Sequence, residues 1–146
     1  MKWTIATIGK PRLDYAAAGV AEYLARLERF VPVEWIALKQ GTPQTEGAAL
    51  LERTAGAHRI VLDERGSSLT SRAFADYIAR LEQSSTRRAA ILVGGADGHA
   101  PATRDAADLV LSLSSLTLQH ELALVVALEQ IYRAYTILRG TPYHRD

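Results

Sequence analysis

The chain contains no cysteine. Disulfides, thiolate metal sites and cysteine nucleophiles are therefore excluded. Histidine is scarce, at four residues, and none falls in an HExxH or similar spacing. We expect no bound metal. An excess of one charge is missing as well: 17 Lys and Arg stand against 16 Asp and Glu, a formal net charge of +1. Proteins that hold nucleic acid by bulk charge are far more basic, so any RNA contact must use a local patch. Long apolar runs are also absent. The most apolar one, residues 122–128, is flanked by Glu121 and Glu129. It falls far short of the ~20 residues that span a bilayer. The opening apolar stretch, residues 3–8, is too short for a secretory signal and runs into Lys10, Pro11 and Arg12. These absences point to a soluble cytoplasmic protein with no membrane contact.

What is present is ordinary globular material. The chain has 146 residues, 48% of them apolar and 23% charged. That is the composition of a folded domain, and its length suits a single domain over residues 1–146. Such a chain buries roughly 68–70% of its unfolded surface, enough for a proper core.

Two hydrophobic periods alternate along the sequence. Residues 3–8 form a short β-type run. In residues 14–29, Val20, Tyr23, Leu24 and Leu27 recur at helical spacing. Residues 33–38 read as a strand, 40–47 as a mobile loop rich in Gly, Thr, Pro and Gln, and 48–54 as a modest helix. Residues 59–63 carry Ile60, Val61 and Leu62, a short apolar strand. Thr70 can cap a helix on which Phe74, Ile78 and Leu81 share a face. Residues 89–93 are another apolar strand. Pro101 fits the first turn of a short helix reaching about Ala107, and residues 109–113 are the last strand. A long helix begins near Leu118, with Leu124, Leu128, Ile131, Tyr135 and Leu138 on its core face. It stops at Gly140, with Pro142 just beyond. Short strands that are apolar on both faces, alternating with helices, predict an α/β fold: a parallel sheet sandwiched by helices.

In such a sheet, ligands bind past the carboxyl ends of the strands. Three ends stand out. The first is Val61-Leu62-Asp63-Glu64-Arg65-Gly66. The second is Gly94-Gly95-Ala96-Asp97-Gly98, where glycines let the backbone turn and approach a ligand. It matches neither GxxxxGK[ST] nor GxGxxG, which argues against a triphosphate cradle. A tight strand-to-helix turn with Asp97 as a local cap explains it equally well. The third is Leu113-Ser114-Ser115-Leu116-Thr117-Leu118, where backbone groups and leucines suit an adenine, although a plain connection with Thr117 near a helix N-cap fits the periodicity better. The basic, aromatic tail, Arg139 to Asp146, suits RNA phosphate and bases or simply frays. Glu129 and Arg133 lie at i, i+4, a spacing that usually marks a surface ion pair. His58 and His99 receive no role.

In this order, the segments Ile5-Ala6-Thr7-Ile8-Gly9-Lys10, Glu22-Tyr23-Leu24, Val61-Leu62-Asp63, Leu92 to Gly98, Leu113 to Leu118, His120, Glu129 to Ala134 and Pro142-Tyr143-His144-Arg145 resemble a known family. It is the small SPOUT-class methyltransferase family that N3-methylates a pseudouridine in bacterial large-subunit (23S) ribosomal RNA. The resemblance runs nearly end to end. It implies a C-terminal trefoil knot, a homodimer, and S-adenosylmethionine (SAM) held by Leu62, Gly94, Leu113, Ser114, Ser115, Leu116, Thr117 and Leu118. The sequence departs from a common family form at Ala96 and Asp97, where Pro-Glu is often found. The loop at 40–47 is also shorter and less basic than in some relatives.

The same resemblance implies action on the assembled ribosome. On the acceptor side, N3 of a uracil-type ring must lose a proton before it attacks a methyl group. His144 is the candidate base on intrinsic basicity. Arg133 and Arg145 suit phosphate or the developing anion, and Tyr143 suits stacking on the base. Three other readings compete: a SPOUT enzyme acting on tRNA, a non-catalytic nucleotide-binding α/β module, and a structural ribosome-associated factor that keeps the SAM pocket but not activity.

Overall fold

The computed structural model describes residues 1–145, so Asp146, the last residue of the expected domain, lies outside the described residues. Strands and helices alternate as β1 (Lys2–Ile8), α1 (Asp14–Leu27), β2 (Val33–Leu38), α2 (Pro43–Arg53), β3 (His58–Ser68), α3 (Ser71–Gln83), β4 (Arg88–Val93), α4 (Pro101–Asp105), β5 (Leu109–Ser112) and α5 (His120–Arg139). All neighbouring strands pair in parallel, in the order β2-β1-β4-β3-β5.

The strand pattern explains the layers. Side chains on a strand alternate between faces. Trp3 and Ile5 of β1, Ile60 and Leu62 of β3, and Ala89, Ile91 and Val93 of β4 join one core with α1, α3 and α5. The intervening Ala6, Val61, Ala90 and Leu92 join Leu50 of α2 on the other face. Both faces are thus covered, as a parallel sheet requires. In the larger core the Trp3 indole donates to the Tyr135 hydroxyl at 2.9 Å, which donates to Glu82 at 2.6 Å.

Helix ends follow local chemistry. Thr70 caps α3 by accepting from the Ala73 amide at 3.0 Å. Gly140 closes α5 in the left-handed region, at φ 68°. Three expected boundaries are corrected. The segment expected as a loop at 40–47 already carries the start of α2 at Pro43, because Thr42 and Thr45 cap each other reciprocally and Pro43 sits in the first turn. β3 does not stop at Asp63: residues 63–66 bulge out, and Ser67 returns to pair with Leu111. The cap of α5 is Gln119 rather than Thr117, and the helix proper starts at His120.

Candidate functional site

The carboxyl ends of β3, β4 and β5 open onto one cleft of about 500 Å³. That size is ordinary for a small-molecule site, and the position is the one expected of a parallel sheet. Three loops wall it. The first is the β3 bulge, with Asp63, Glu64 and Arg65. Gly66 permits it: a Cβ there would lie 2.5 Å from the Val110 carbonyl carbon and oxygen. Only a glycine lets β3 and β5 approach so closely.

The second wall follows β4. Within Gly94 to Gly98, only Gly98 takes a left-handed φ, of 75°, and its amide donates to the Gly95 carbonyl at 3.0 Å. The turn is backed by buried and half-buried groups. Glu46 is buried and accepts from the Gly41 amide at 2.9 Å. His99 donates from Nε2 to the Leu92 carbonyl at 3.3 Å. Burial pushes its imidazole below the ordinary histidine range. Arg104 donates to the His99 carbonyl at 2.9 Å and reaches the Asp63 carboxylate at 3.5 Å.

The third wall is the connection from β5 to α5. Ser114 bends it, accepting from the Leu116 amide at 2.9 Å. Thr117 donates to Glu64 at 2.8 Å and so ties this wall to the bulge. Leu116 stands at the rim, 73% exposed.

Of the residues expected to hold the cofactor, Leu62, Gly94, Leu113, Ser114, Leu116, Thr117 and Leu118 line this cleft. Ser115 is exposed beside it and is not among the lining residues. Asp63, Glu64 and Arg65, expected as part of the first strand end, line it too, whereas His99, Gln119 and His120 line it without an expected role there. The bulge brings the first three into the wall, and no local feature of residues 58–68 signals that β3 leaves and rejoins the sheet.

The four acceptor-side candidates sit elsewhere on the chain. The tail folds back onto α5 and α1. Arg133 forms a charge-assisted pair with Glu129 at 2.6 Å, and its guanidinium lies 4.8 Å over the Tyr143 ring. Tyr143 packs edge-on against Tyr132, donates to Glu129 at 3.2 Å and meets the Tyr23 hydroxyl at 3.3 Å. Burial, with the Tyr23 hydrogen bond, pushes its phenol above the ordinary range. Arg133 also donates to Nδ1 of His144 at 3.1 Å. The Glu129–Arg133 pair is therefore the centre of a half-buried network rather than a solvated surface pair, and the tail is held by it. Arg145 is exposed. The structure joins Arg133, Tyr143 and His144, and none of the four lines the cleft of its own chain.

Among the described residues no group of three or more side chains could hold a metal ion, and no helix is long and apolar enough to cross a membrane. The family model described as "Predicted SPOUT methyltransferase" matches residues 1–144. The chain belongs to the SPOUT methyltransferase family. This SPOUT chain is 46% identical over 145 residues to a Thermus thermophilus protein named "Ribosomal RNA large subunit methyltransferase H", with 99% of each chain covered. A Deinococcus radiodurans protein of the same name is 39% identical over 145 residues, again covering 99% of both. Among solved structures, a probable methyltransferase from Bordetella pertussis Tohama I superposes with a TM-score of 0.58 at 16% identity, covering 91% of this chain and 95% of that one. A probable methylase family protein from Haemophilus influenzae Rd KW20 gives 0.60 at 10% identity, covering 99% of this chain and 70% of that one. At those identities the two structures bear on the SPOUT fold alone.

Proposed function

We propose that this SPOUT chain transfers a methyl group from SAM to N3 of a pseudouridine in large-subunit (23S) ribosomal RNA, on the assembled ribosome, in the cytoplasm. One cleft carries the reading: seven of the eight residues that the family resemblance assigns to SAM line it. The full-length likeness to proteins named for ribosomal RNA large-subunit methylation supports the substrate class. We take residues 1–146 as one catalytic domain with a C-terminal trefoil knot, working as a homodimer.

The donor set fits SAM. Leu62, Leu113, Leu116 and Leu118 offer apolar contact to a planar adenine, and the exposed Leu116 has apolar surface to cover. Gly94 on the second wall and the 113–118 backbone on the third supply polar groups to the same cleft, with Ser115 beside it. When bound, SAM supplies an electrophilic methyl group on a sulfonium, so the donor side needs alignment more than acid–base help.

The chain's own residues handle the acceptor. Arg133 and Arg145 engage phosphate, which guanidinium groups match in planar, two-pronged geometry. Tyr143 stacks on the base. His144 takes the N3 proton at Nδ1. Arg133 now occupies that nitrogen. Drawing Arg133 onto a phosphate would unmask it, so that the base becomes competent as RNA docks. Because this cluster lies off the cleft of its own chain, a second subunit is the simplest way to bring tail and cleft together.

The test is nucleoside mass spectrometry of large-subunit rRNA from cells with and without the protein, with calorimetry of SAM against ATP and FMN. Loss of one N3-methylated pseudouridine and selective SAM binding are expected. A methyl group lost from tRNA instead, or no preference for SAM, overturns the reading. His144→Ala, with SAM binding measured separately, checks the base: methylation at the wild-type rate removes His144 from that role.

A further inference from the structure

His120, the first residue of α5, lines the cleft beside Gln119 and Ala123. It also lines a smaller adjoining hollow with Gly9, Lys10 and Pro11 from the end of β1, and with Gly94, Glu121 and Leu124. The imidazole thus stands at the seam between the two, with its side chain 34% exposed.

Its protonation pattern follows from the helix cap. Gln119 Oε1 accepts from the Glu121 amide at 2.9 Å and the Leu122 amide at 3.0 Å. Those two bonds fix which end of the Gln119 amide is oxygen. Its nitrogen therefore donates, and the recipient is Nδ1 of His120 at 3.2 Å. An imidazole that accepts at Nδ1 carries its proton on Nε2. Nε2 has no hydrogen-bond acceptor within reach among the described residues; the Glu121 carboxylate lies 3.9 Å away, too far for a bond. Glu121 cannot close that gap cheaply, because its other oxygen accepts from the Arg12 amide at 2.8 Å and the Leu13 amide at 2.9 Å. A donor with a fixed tautomer is thus held at the cleft without an acceptor among the described residues.

We propose that Nε2–H of His120 donates a hydrogen bond to the carbonyl oxygen beside N3 of the target base, where negative charge gathers when N3 is deprotonated. This rests on the methyl-transfer reading above and names a further catalytic residue for it. The N3–H bond breaks and its proton passes to the base group. The electron pair left on N3 forms the new N–C bond to the methyl group, and the pair from the broken C–S bond stays on sulfur. Between loss of the proton and formation of that bond, charge spreads onto the flanking carbonyl oxygens. A donor already aimed at such an oxygen gives about 10²–10³ in rate.

The test uses the full-length protein with assembled ribosomes, comparing His120→Ala and His120→Gln with wild type by calorimetry of SAM and by single-turnover methylation. In His120→Ala we expect SAM affinity within about twofold and the methylation rate lower by about 10²-fold, with little change in the ribosome concentration for half-maximal rate. His120→Gln, which keeps an N–H donor, should recover part of the loss. A wild-type rate in His120→Ala overturns the proposal. So does a parallel loss of SAM affinity in a variant that melts like wild type, which would make His120 a cofactor contact. Failure of the wild-type protein itself to bind SAM or methylate rRNA would instead sink the parent reading.

Discussion

Gly66→Ala probes the feature that shapes the cleft. A Cβ at this position would lie 2.5 Å from the carbonyl carbon and oxygen of Val110 and 2.8 Å from the Leu111 amide nitrogen. All three are backbone atoms of β5, so no rotamer change relieves them. Reaching ordinary contact forces β3 and β5 apart by about 1 Å, the kind of overpacking that costs about 1–3 kcal/mol. The more restricted unfolded chain of alanine returns about 0.4–1 kcal/mol. The net loss is about 1–2 kcal/mol, a fall of roughly 3–8 °C in Tm for a chain of this size. The displaced strands carry two of the three cleft walls, since Thr117 ties the β5–α5 connection to Glu64 in the bulge. On the methyl-transfer reading, SAM affinity should therefore drop by about tenfold, a change of about 1.4 kcal/mol. Gly56→Ala is the control. Gly56 has a left-handed φ of 80° with nothing within 4 Å of where a Cβ would lie, and it sits in the turn before β3, at the end of the sheet away from the cleft. It should lose about 1–2 kcal/mol to backbone strain alone and leave SAM binding intact. Scanning calorimetry and SAM titration of both variants decide the matter. A Gly66→Ala protein with wild-type Tm and wild-type SAM affinity refutes the reasoning.

Two further predictions concern proton linkage. Burial, and the bond to Glu82, hold the Tyr135 phenol above its ordinary value, so its contribution to stability is complete below about pH 10 and is lost as pH rises beyond that. Tyr135→Phe should cost about 1–3 kcal/mol at neutral pH by leaving the buried Trp3 N–H without its acceptor, and should make the alkaline decline shallower; urea midpoints between neutral and alkaline pH measure both, and an unchanged alkaline slope would count against it. Burial lowers the His99 imidazole, so its contribution is present above the unfolded value of about 6.5 and is lost as pH falls through the lowered folded value. His99→Leu should flatten the acid limb of the stability curve, and an acid limb as steep as wild type refutes the assignment.

Most of the layered fold was legible because burial on both faces leaves a plain signature in the strands. Ile60, Val61 and Leu62, or Ala89 to Val93, have no polar side to hide. Caps that rest on one side chain, such as Thr70, were legible too. The start of α2 was not. Thr42-Pro43-Gln44-Thr45 has the composition of a loop, and its reciprocal cap uses Thr45 where a Glu or Gln would have announced it. The strand order was beyond reach, because β4 inserts between β1 and β3 and no local property of Arg88–Val93 says so. The cleft was legible as three strand ends, Asp63 to Gly66 among them, whereas the bulged shape of that wall was not, since it depends on a close approach of two backbones. His120 was singled out only by resemblance; its tautomer needed the Gln119 cap in three dimensions.

The net charge of +1 conceals a separation of charge that fits this division of labour. The cleft is lined by Asp63, Glu64 and Asp97 with Arg65. Asp63 is largely offset by Arg65 and Arg104, at 3.4 and 3.5 Å. Glu64 and Asp97 are exposed and remain as negative charge at the walls. A phosphate backbone drawn into that cleft would meet like charge, while a cofactor bearing a sulfonium and an ammonium would not. The cations that suit phosphate lie outside the cleft lining, with Arg139 exposed at the end of α5, Arg145 exposed beyond it, and Arg133 in the C-terminal half of α5 paired with Glu129 at 2.6 Å. On the methyl-transfer reading, the phosphates stay on the tail surface and only an uncharged base edge enters the cleft. Weak attraction for free RNA is then a consequence of the layout, and the ribosome's own shape has to supply the rest of the affinity.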